Sequence, residues 1–232
     1  MSPSLHSVQE AGILGMAKQK LPYQFSPDDF FKPTEELRKI FARIIGCTEP
    51  ERIVVIPSTS YAMANIANNL KIHPGENIVL IGEQFPSNVY PWRRLSANKN
   101  VILKTVSPPK ENFERGKRWN EAILEAIDSQ TRMISMGHVH WADGTCFDLK
   151  AIRKRSREVG ALLVVDGTQS VGALPFDLAD IEADALVCAG YKWLLGPYSM
   201  GLAYFGEYFD EGTPIEENWM NRLKSENFGA LI

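Results

Sequence analysis

Seven short apolar, β-branched runs recur along the chain with helix-length stretches between them, and this alternation limits the fold more than any other feature. The runs are Ile53–Ile56, Ile78–Ile81, Val101–Leu103, Met133–Val139, Ala161–Val165, Ala185–Ala189 and Leu202–Phe205. Most are apolar throughout instead of alternating with polar residues. Strands need this when helices cover both faces of a mainly parallel sheet. The expected class is α/β, with seven strands. At 232 residues and 44% hydrophobic content, the chain is long enough to bury such a sheet.

The intervening stretches agree. In Glu35–Ile45, the residues Leu37, Ile40, Phe41, Ile44 and Ile45 fall at helical spacing, Thr34 sits at the N-cap and Gly46 closes the element. Helices are also expected over Ser60–Leu70, Trp119–Ile127 and Leu149–Val159. Arg153, Lys154, Arg155 and Arg157 in the last are read as a solvated face, because no aromatic residues interleave with them. Residues 100–117, with Pro108 and Pro109, read as a strand followed by an exposed loop. Residues 207–232 are polar and patternless up to Trp219–Leu223, where a helix can start.

Charge and cysteine content remove several classes. Lys+Arg 25 against Asp+Glu 28 gives a net charge of −3, so no global positive field collects nucleic acid or anionic lipid. No 18 consecutive apolar residues occur, and the Ala11–Ala17 patch follows Glu10 instead of a basic segment, so neither a membrane span nor a signal peptide is expected. Cys47, Cys146 and Cys188 are scattered without a CxxC pair, which points to a cytoplasmic protein whose cysteines are buried packing residues. His138 and His140 lie at i, i+2 on one expected strand without a third ligand, so no metal is expected. Both GxGxxG and GxxxxGK[ST] are absent.

The residues with chemical potential sit just after the apolar runs, where ligands bind in open α/β sheets. Asp166 ends one run and opens Asp166-Gly167-Thr168-Gln169-Ser170-Val171-Gly172; Lys192 follows the next, beside Tyr191 and Trp193. Taken singly, Asp166 reads equally as a helix-capping acid and Lys192 as an ordinary surface lysine. Together they match what pyridoxal 5′-phosphate requires: an amine to hold the aldehyde and an acid to keep the pyridine nitrogen protonated. Ser58, Thr59 and Ser60, between a run and a helix, can cradle a phosphate or simply cap the helix. Phe85 can stack on a ring or pack in the core.

The ordered set Ser58-Thr59-Ser60, Phe85-Pro86-Ser87-Asn88 with Tyr90-Pro91-Trp92, His138-Val139-His140, Gly144-Thr145, Asp166 to Gly172, and Tyr191-Lys192 with Gly196-Pro197 resembles the class V aminotransferase family. That fold-type I pyridoxal-phosphate group includes cysteine desulfurases, kynureninase and isopenicillin N epimerase-like enzymes. The resemblance implies that Lys192 is the Schiff-base lysine, Asp166 the pyridinium partner and Gln169 a donor to the phenolic oxygen. It implies further that Thr59 and Ser60 hold the phosphate with Ser58 beside them, and that Phe85 fills the stacking position where desulfurases have histidine. Tyr191 stands where desulfurases have histidine, Trp141 where they have asparagine, and Ala189 where many members have a phosphate-binding serine. The choice of Phe85 leans toward the kynureninase and epimerase-like branch, Trp141 weakens the desulfurase reading further, and Ala189 implies one phosphate hydrogen bond fewer.

Transaminase is the default activity that the resemblance implies, on an amino acid substrate with a 2-oxo acid, in a homodimer. Racemase or epimerase and C–S or C–C lyase are the alternatives, as is a non-catalytic remnant of the fold. Family members are longer and carry a C-terminal small domain with a carboxylate-binding arginine. The expectation is therefore a truncated chain: an N-terminal segment over residues 1–33, a cofactor-binding large domain over 34–206, and the start of a linker over 207–232. Part of the sheet and the Tyr198–Phe209 region, with Phe205, Tyr208 and Phe209, are then expected to be open to water, which favours association.

Overall fold

All seven apolar runs form strands: β1 (Ile53–Ile56), β2 (Asn77–Ile81), β3 (Ile102–Val106), β4 (Thr131–Gly137), β5 (Leu162–Asp166), β6 (Ala185–Ala189) and β7 (Gly201–Phe205). The computed structural model describes residues 2–111 and 113–230. Within them the strands make one sheet in the order β1-β7-β6-β5-β4-β2-β3. β7 pairs antiparallel with both β1 and β6, and the other pairings are parallel. β7 alone therefore runs against the rest.

The helices are α1 (His6–Lys18), α2 (Asp28–Ile44), α3 (Thr59–Asn69), α4 (Tyr90–Lys99), α5 (Arg115–Ala126), α6 (Leu149–Glu158) and the short α7 (Leu178–Ile181). Successive strand residues feed opposite cores, which is why the runs lack polar alternation. Val79 and Ile81 pack with Phe41, Trp119, Ile123 and Ile152 from α2, α5 and α6. Ile78 and Leu80 pack with Met63, Ile66 and Trp92 from α3 and α4. Helices thus cover both faces of a mainly parallel sheet. Each fully buried side chain of this kind contributes about 1.5–3 kcal/mol.

Boundaries differ from the sequence expectation where local bonds override pattern. α2 begins ahead of Thr34, at Asp28, and runs through Pro33; the Asp29 carboxylate accepts the Ser26 N–H at 2.9 Å and its hydroxyl at 2.8 Å. Ile40 and Ile44 of that helix remain exposed while Phe41, Ala42 and Ile45 are buried. β3 lies at the sheet edge and continues through Lys104, whose ammonium reaches the Ala126 carbonyl at 3.2 Å and pairs with Asp128. β4 ends at Gly137, so His138 and His140 lie beyond the strand, not on one of its faces. No group of metal-ligating side chains forms among the described residues.

Cys188 is buried and Cys47 half-buried, but Cys146 is exposed, which corrects its reading as a buried packing residue. Of the Tyr198–Phe209 region, Tyr198 is exposed as expected, but Phe205, Tyr208 and Phe209 are not open to water: they are half-buried, with ring centroids 5.0 to 5.3 Å apart, and the Tyr208 hydroxyl accepts the Lys71 N–H at 2.8 Å. The helix expected at Trp219 is a single 3₁₀ turn, Trp219–Asn221. Its Trp219 joins Phe31 and Phe228 in a ring cluster that ties α2 to the C-terminal stretch. Asn112 of the expected 100–117 loop, Met1, and Leu231 and Ile232 of the C-terminal stretch lie outside the described residues. Among the described residues no helix is long and apolar enough to cross a membrane.

Candidate active site

The carboxyl ends of the parallel strands carry the chemistry. Between β2 and β4 the order of strand addition reverses, and the crevice outside such a switch point is where open α/β sheets take ligands. Asp166 is the last residue of β5, and the turn after it is locked down at once. The Gly167 N–H donates to the Val187 carbonyl at 2.9 Å, and the Thr168 N–H donates to Asp166 Oδ1 at 3.0 Å. The same threonine's hydroxyl accepts the Ala189 N–H at 3.0 Å, joining this turn to the end of β6.

Lys192 follows β6 in a loop that closes on itself before β7. The Gly190 N–H donates to the Met200 carbonyl at 2.8 Å, and the Gly196 N–H to the Gly190 carbonyl at 2.8 Å. Gly172, at the end of the Asp166 motif, has a left-handed φ of +95°, and a Cβ there would stand 2.5 Å from the Trp193 carbonyl. A side chain at this position would push the two loops apart, so glycine is what lets them meet.

α3 starts beside them. The Ser58 hydroxyl caps it by accepting the Tyr61 N–H at 3.2 Å, and no acid occupies its first turn, leaving the positive helix end without a carboxylate of its own. Ser58 and Thr59 line the crevice. Ser60 does not; it turns toward the groove between α3 and α4, with its hydroxyl 3.0 Å from that of Ser58.

A wall of rings closes one side. Phe85 and Trp141 meet edge to face with centroids 5.7 Å apart, and Trp141 Nε1 donates to the Glu83 carbonyl at 2.7 Å. Glu83 adopts a left-handed φ of 55°, uncommon for a non-glycine residue, which aims its carbonyl at Trp141 and at His140 Nε2, 3.2 Å away. Behind them His140 Nδ1 lies 3.1 Å from Asp143, which Arg115 pairs at 3.0 Å. Tyr198 stacks on Tyr191, centroids 4.5 Å apart.

These residues enclose a cavity of about 300 Å³, lined by Ser58, Thr59, Phe85, Trp141, Asp166, Gln169, Tyr191 and Lys192. Lys192 Nζ lies 5.6 Å from the centre of the Phe85 ring and 5.9 Å from that of Tyr191. Burial pulls its amine below the usual lysine range, against the opposing charge of Asp166. Burial likewise pushes the Asp166 carboxyl upward, even though the residue keeps partial exposure to the cavity; the Thr168 hydroxyl and N–H and the Lys192 charge oppose that shift. Lys192 is the sole lysine or arginine among the described lining residues, and no cysteine is among them. Thr168 and Tyr198 line it too. The sequence singled out neither: Thr168 sat unremarked inside the Asp166 motif, and nothing in the local pattern marks Tyr198.

The family model for aminotransferase class-V matches residues 27–216. The chain belongs to this family. Among relatives of this class V chain, an uncharacterized aminotransferase, YcbU, of Bacillus subtilis (strain 168) is 30% identical over 192 residues, spanning 82% of this chain and 49% of that protein. A probable cysteine desulfurase of Methanothermobacter thermautotrophicus is 33% identical over 170 residues, 73% of this chain and 41% of that protein. The class V chain thus spans about half the length of the relatives it matches. In fold it is similar to a C-DES mutant with glycine covalently linked to the PLP cofactor, at a TM-score of 0.79 and 19% identity, over 93% of this chain and 57% of that one.

Proposed function

We propose that this chain forms the cofactor-binding part of a pyridoxal 5′-phosphate enzyme that works at Cα of an amino acid, with amino transfer to a 2-oxo acid as its leading reaction. The observation that carries the reading is Lys192 and Asp166 facing one cavity, with burial drawing the lysine toward its neutral, nucleophilic form. The residues present fit the cofactor: an amine, a carboxylate, the open positive end of α3 for a phosphate, and the Phe85 ring.

When bound, pyridoxal phosphate supplies an aldehyde that reacts with amines and a ring that takes up the charge left when a bond at Cα breaks. Lys192 would hold the aldehyde, and the same amine would move the proton at Cα. Asp166 keeps a proton on the pyridine nitrogen. Gln169 donates to the phenolic oxygen, Ser58 and Thr59 face the phosphate with Ser60 in support through Ser58, and Tyr191 adds a phenol donor. Phe85 and Trp141 exclude water from one side. A homodimer in the cytoplasm, with the partner copy helping to cover the exposed ring wall, belongs to the same reading.

A second reading is C–S cleavage, which the desulfurase among the relatives favours. Both reactions use every residue described. They part in the product: C–S cleavage releases sulfur from the substrate, whereas amino transfer moves nitrogen to a 2-oxo acid. Adding pyridoxal phosphate to the purified chain should give a visible absorption band, and borohydride should fix the cofactor to Lys192. A label on any other lysine overturns the assignment. An amino acid that shifts the band supports catalysis, whereas an inert band supports a remnant. Sulfide release from cysteine, in place of amino transfer to a 2-oxo acid, decides for the second reading.

A further inference from the structure

We infer that Thr168 is a positioning residue that keeps Asp166 charged and aimed into the cavity, through a hydroxyl fixed by the end of β6. The Ala189 N–H donates to Thr168 Oγ1 at 3.0 Å. That occupies the hydroxyl as an acceptor and turns its own proton away from Ala189, leaving it for the Asp166 carboxylate two residues earlier. The threonine's backbone N–H already holds Asp166 Oδ1 at 3.0 Å. The backbone N–H is thus one fixed donor to the carboxylate, the hydroxyl proton is left free to serve as a second, and the hydroxyl is set by the strand that leads to Lys192.

The arrangement answers a conflict within the site. A carboxylate walled in by protein tends to take up a proton and become neutral, and a neutral acid cannot stabilise a protonated pyridine nitrogen. Hydrogen bonds to the charged form oppose this, each corresponding to a factor of about ten or more in the ionisation equilibrium. Lys192 also faces Asp166 and helps while its amine is charged, but that help goes when the amine is neutral. Cys188 and Tyr191 face it as well, and neither supplies positive charge. Thr168 is 8% exposed, so its proton has little access to water. Only the consequence for the ring nitrogen rests on the pyridoxal-phosphate reading; the effect on Asp166 does not.

The test is a pH titration of Asp166 in the cofactor-free chain, by carboxyl carbon-13 resonance or infrared band, assigned by its loss in Asp166→Asn. Thr168→Val keeps the shape and removes the hydroxyl; it should protonate Asp166 with at least a tenfold larger affinity for the proton, while Thr168→Ser should titrate like the parent. If the valine variant does not fold, Thr168→Ala removes the same hydroxyl and leaves room for water at the Ala189 N–H. A parent-like titration in the folded valine or alanine variant overturns the inference, as does a serine variant that behaves like valine.

With pyridoxal phosphate added, Thr168→Val should move the pH at which the absorption band changes, and should have no further effect in an Asp166→Asn background. An equal effect in both backgrounds would mean that Thr168 does not act through Asp166, and overturns the inference. If no variant binds the cofactor at all, the pyridoxal-phosphate reading fails while the cofactor-free titration still decides the role of Thr168.

Discussion

The floor of the cavity, made by Asp166, Thr168 and Lys192, differs from its ring wall, made by Phe85, Trp141 and Tyr198, in how each is held. Asp166 ends a strand whose preceding residues Val164 and Val165 are fully buried, and the turn after it is pinned to β6 by backbone and hydroxyl bonds. The wall residues are 42%, 49% and 61% exposed and sit on loops; Phe85 and Trp141 meet edge to face, Trp141 donates to the Glu83 carbonyl, and Tyr198 stacks on Tyr191. Groups that must hold charge at fixed positions stand at the strand ends or in turns pinned directly to them. Groups that decide what fits above them stand on segments able to shift, a division that follows from the precision each task needs.

The largest effect that the contrast predicts is on the floor. Asp166→Asn keeps the size of the side chain and removes its charge, so it should leave attachment of pyridoxal phosphate to Lys192 in place. Loss of the Cα proton should slow by several powers of ten, corresponding to about 4 kcal/mol or more of barrier. Exchange of the Cα hydrogen of an added amino acid into deuterated water measures this step alone. Parent-like exchange would leave Asp166 with a structural role only.

Phe85→Ala tests the wall. Loss of ring contact should weaken cofactor binding about tenfold, or ~1.4 kcal/mol, while the exchange rate at saturating cofactor falls much less than in Asp166→Asn. Absorbance titration with pyridoxal phosphate gives the first quantity and deuterium exchange the second. A wall variant that slows exchange as much as the floor variant would erase the distinction.

Asp166 and Lys192 of the floor were legible in the sequence, Thr168 was not, and the wall was legible only in part, for a physical reason. Strand-end residues inherit their position from the apolar run before them, so Asp166 after Leu162–Val165 could be placed from the pattern alone, and Lys192 just after Ala185–Ala189 followed. Phe85 was found through its motif. The contact that sets it against Trp141 depends on a left-handed Glu83 and a loop bridge between Val139 and Cys146, features that leave no periodic trace. The same limit explains His138 and His140: β4 ends one residue before them, and two side chains expected on one strand face separate, Phe176 for one and Trp119 for the other. The two cores follow from composition of the runs, whereas the Phe31, Trp219 and Phe228 cluster joins residues too distant in sequence for any local pattern to pair them.

The smallest predicted effect lies behind the wall, at Asp143, and its pH dependence carries the sign. Partial burial works against the Asp143 charge, but the Thr145 N–H and hydroxyl, Arg115 and His140 outweigh it and bring the carboxyl down to about 2. The unfolded chain holds an aspartate near ~3.9, so the folded state favours the ionised form. The resulting stability is fully present above about pH 4 and is lost as pH falls through about 2. Because the side chain is 30% exposed, solvent screening limits the contribution to about 1 kcal/mol or less. Urea unfolding of the parent and of Asp143→Asn should therefore differ modestly near neutral pH and converge in acid. Since Asp143 holds His140, and His140 reaches the same Glu83 carbonyl as Trp141, the asparagine variant should also alter Trp141 fluorescence while leaving the Asp166 titration unchanged. A change at Asp166 of similar size would mean that wall and floor move as one body, and a stability difference that persists in acid would mean that the Asp143 charge is not its source.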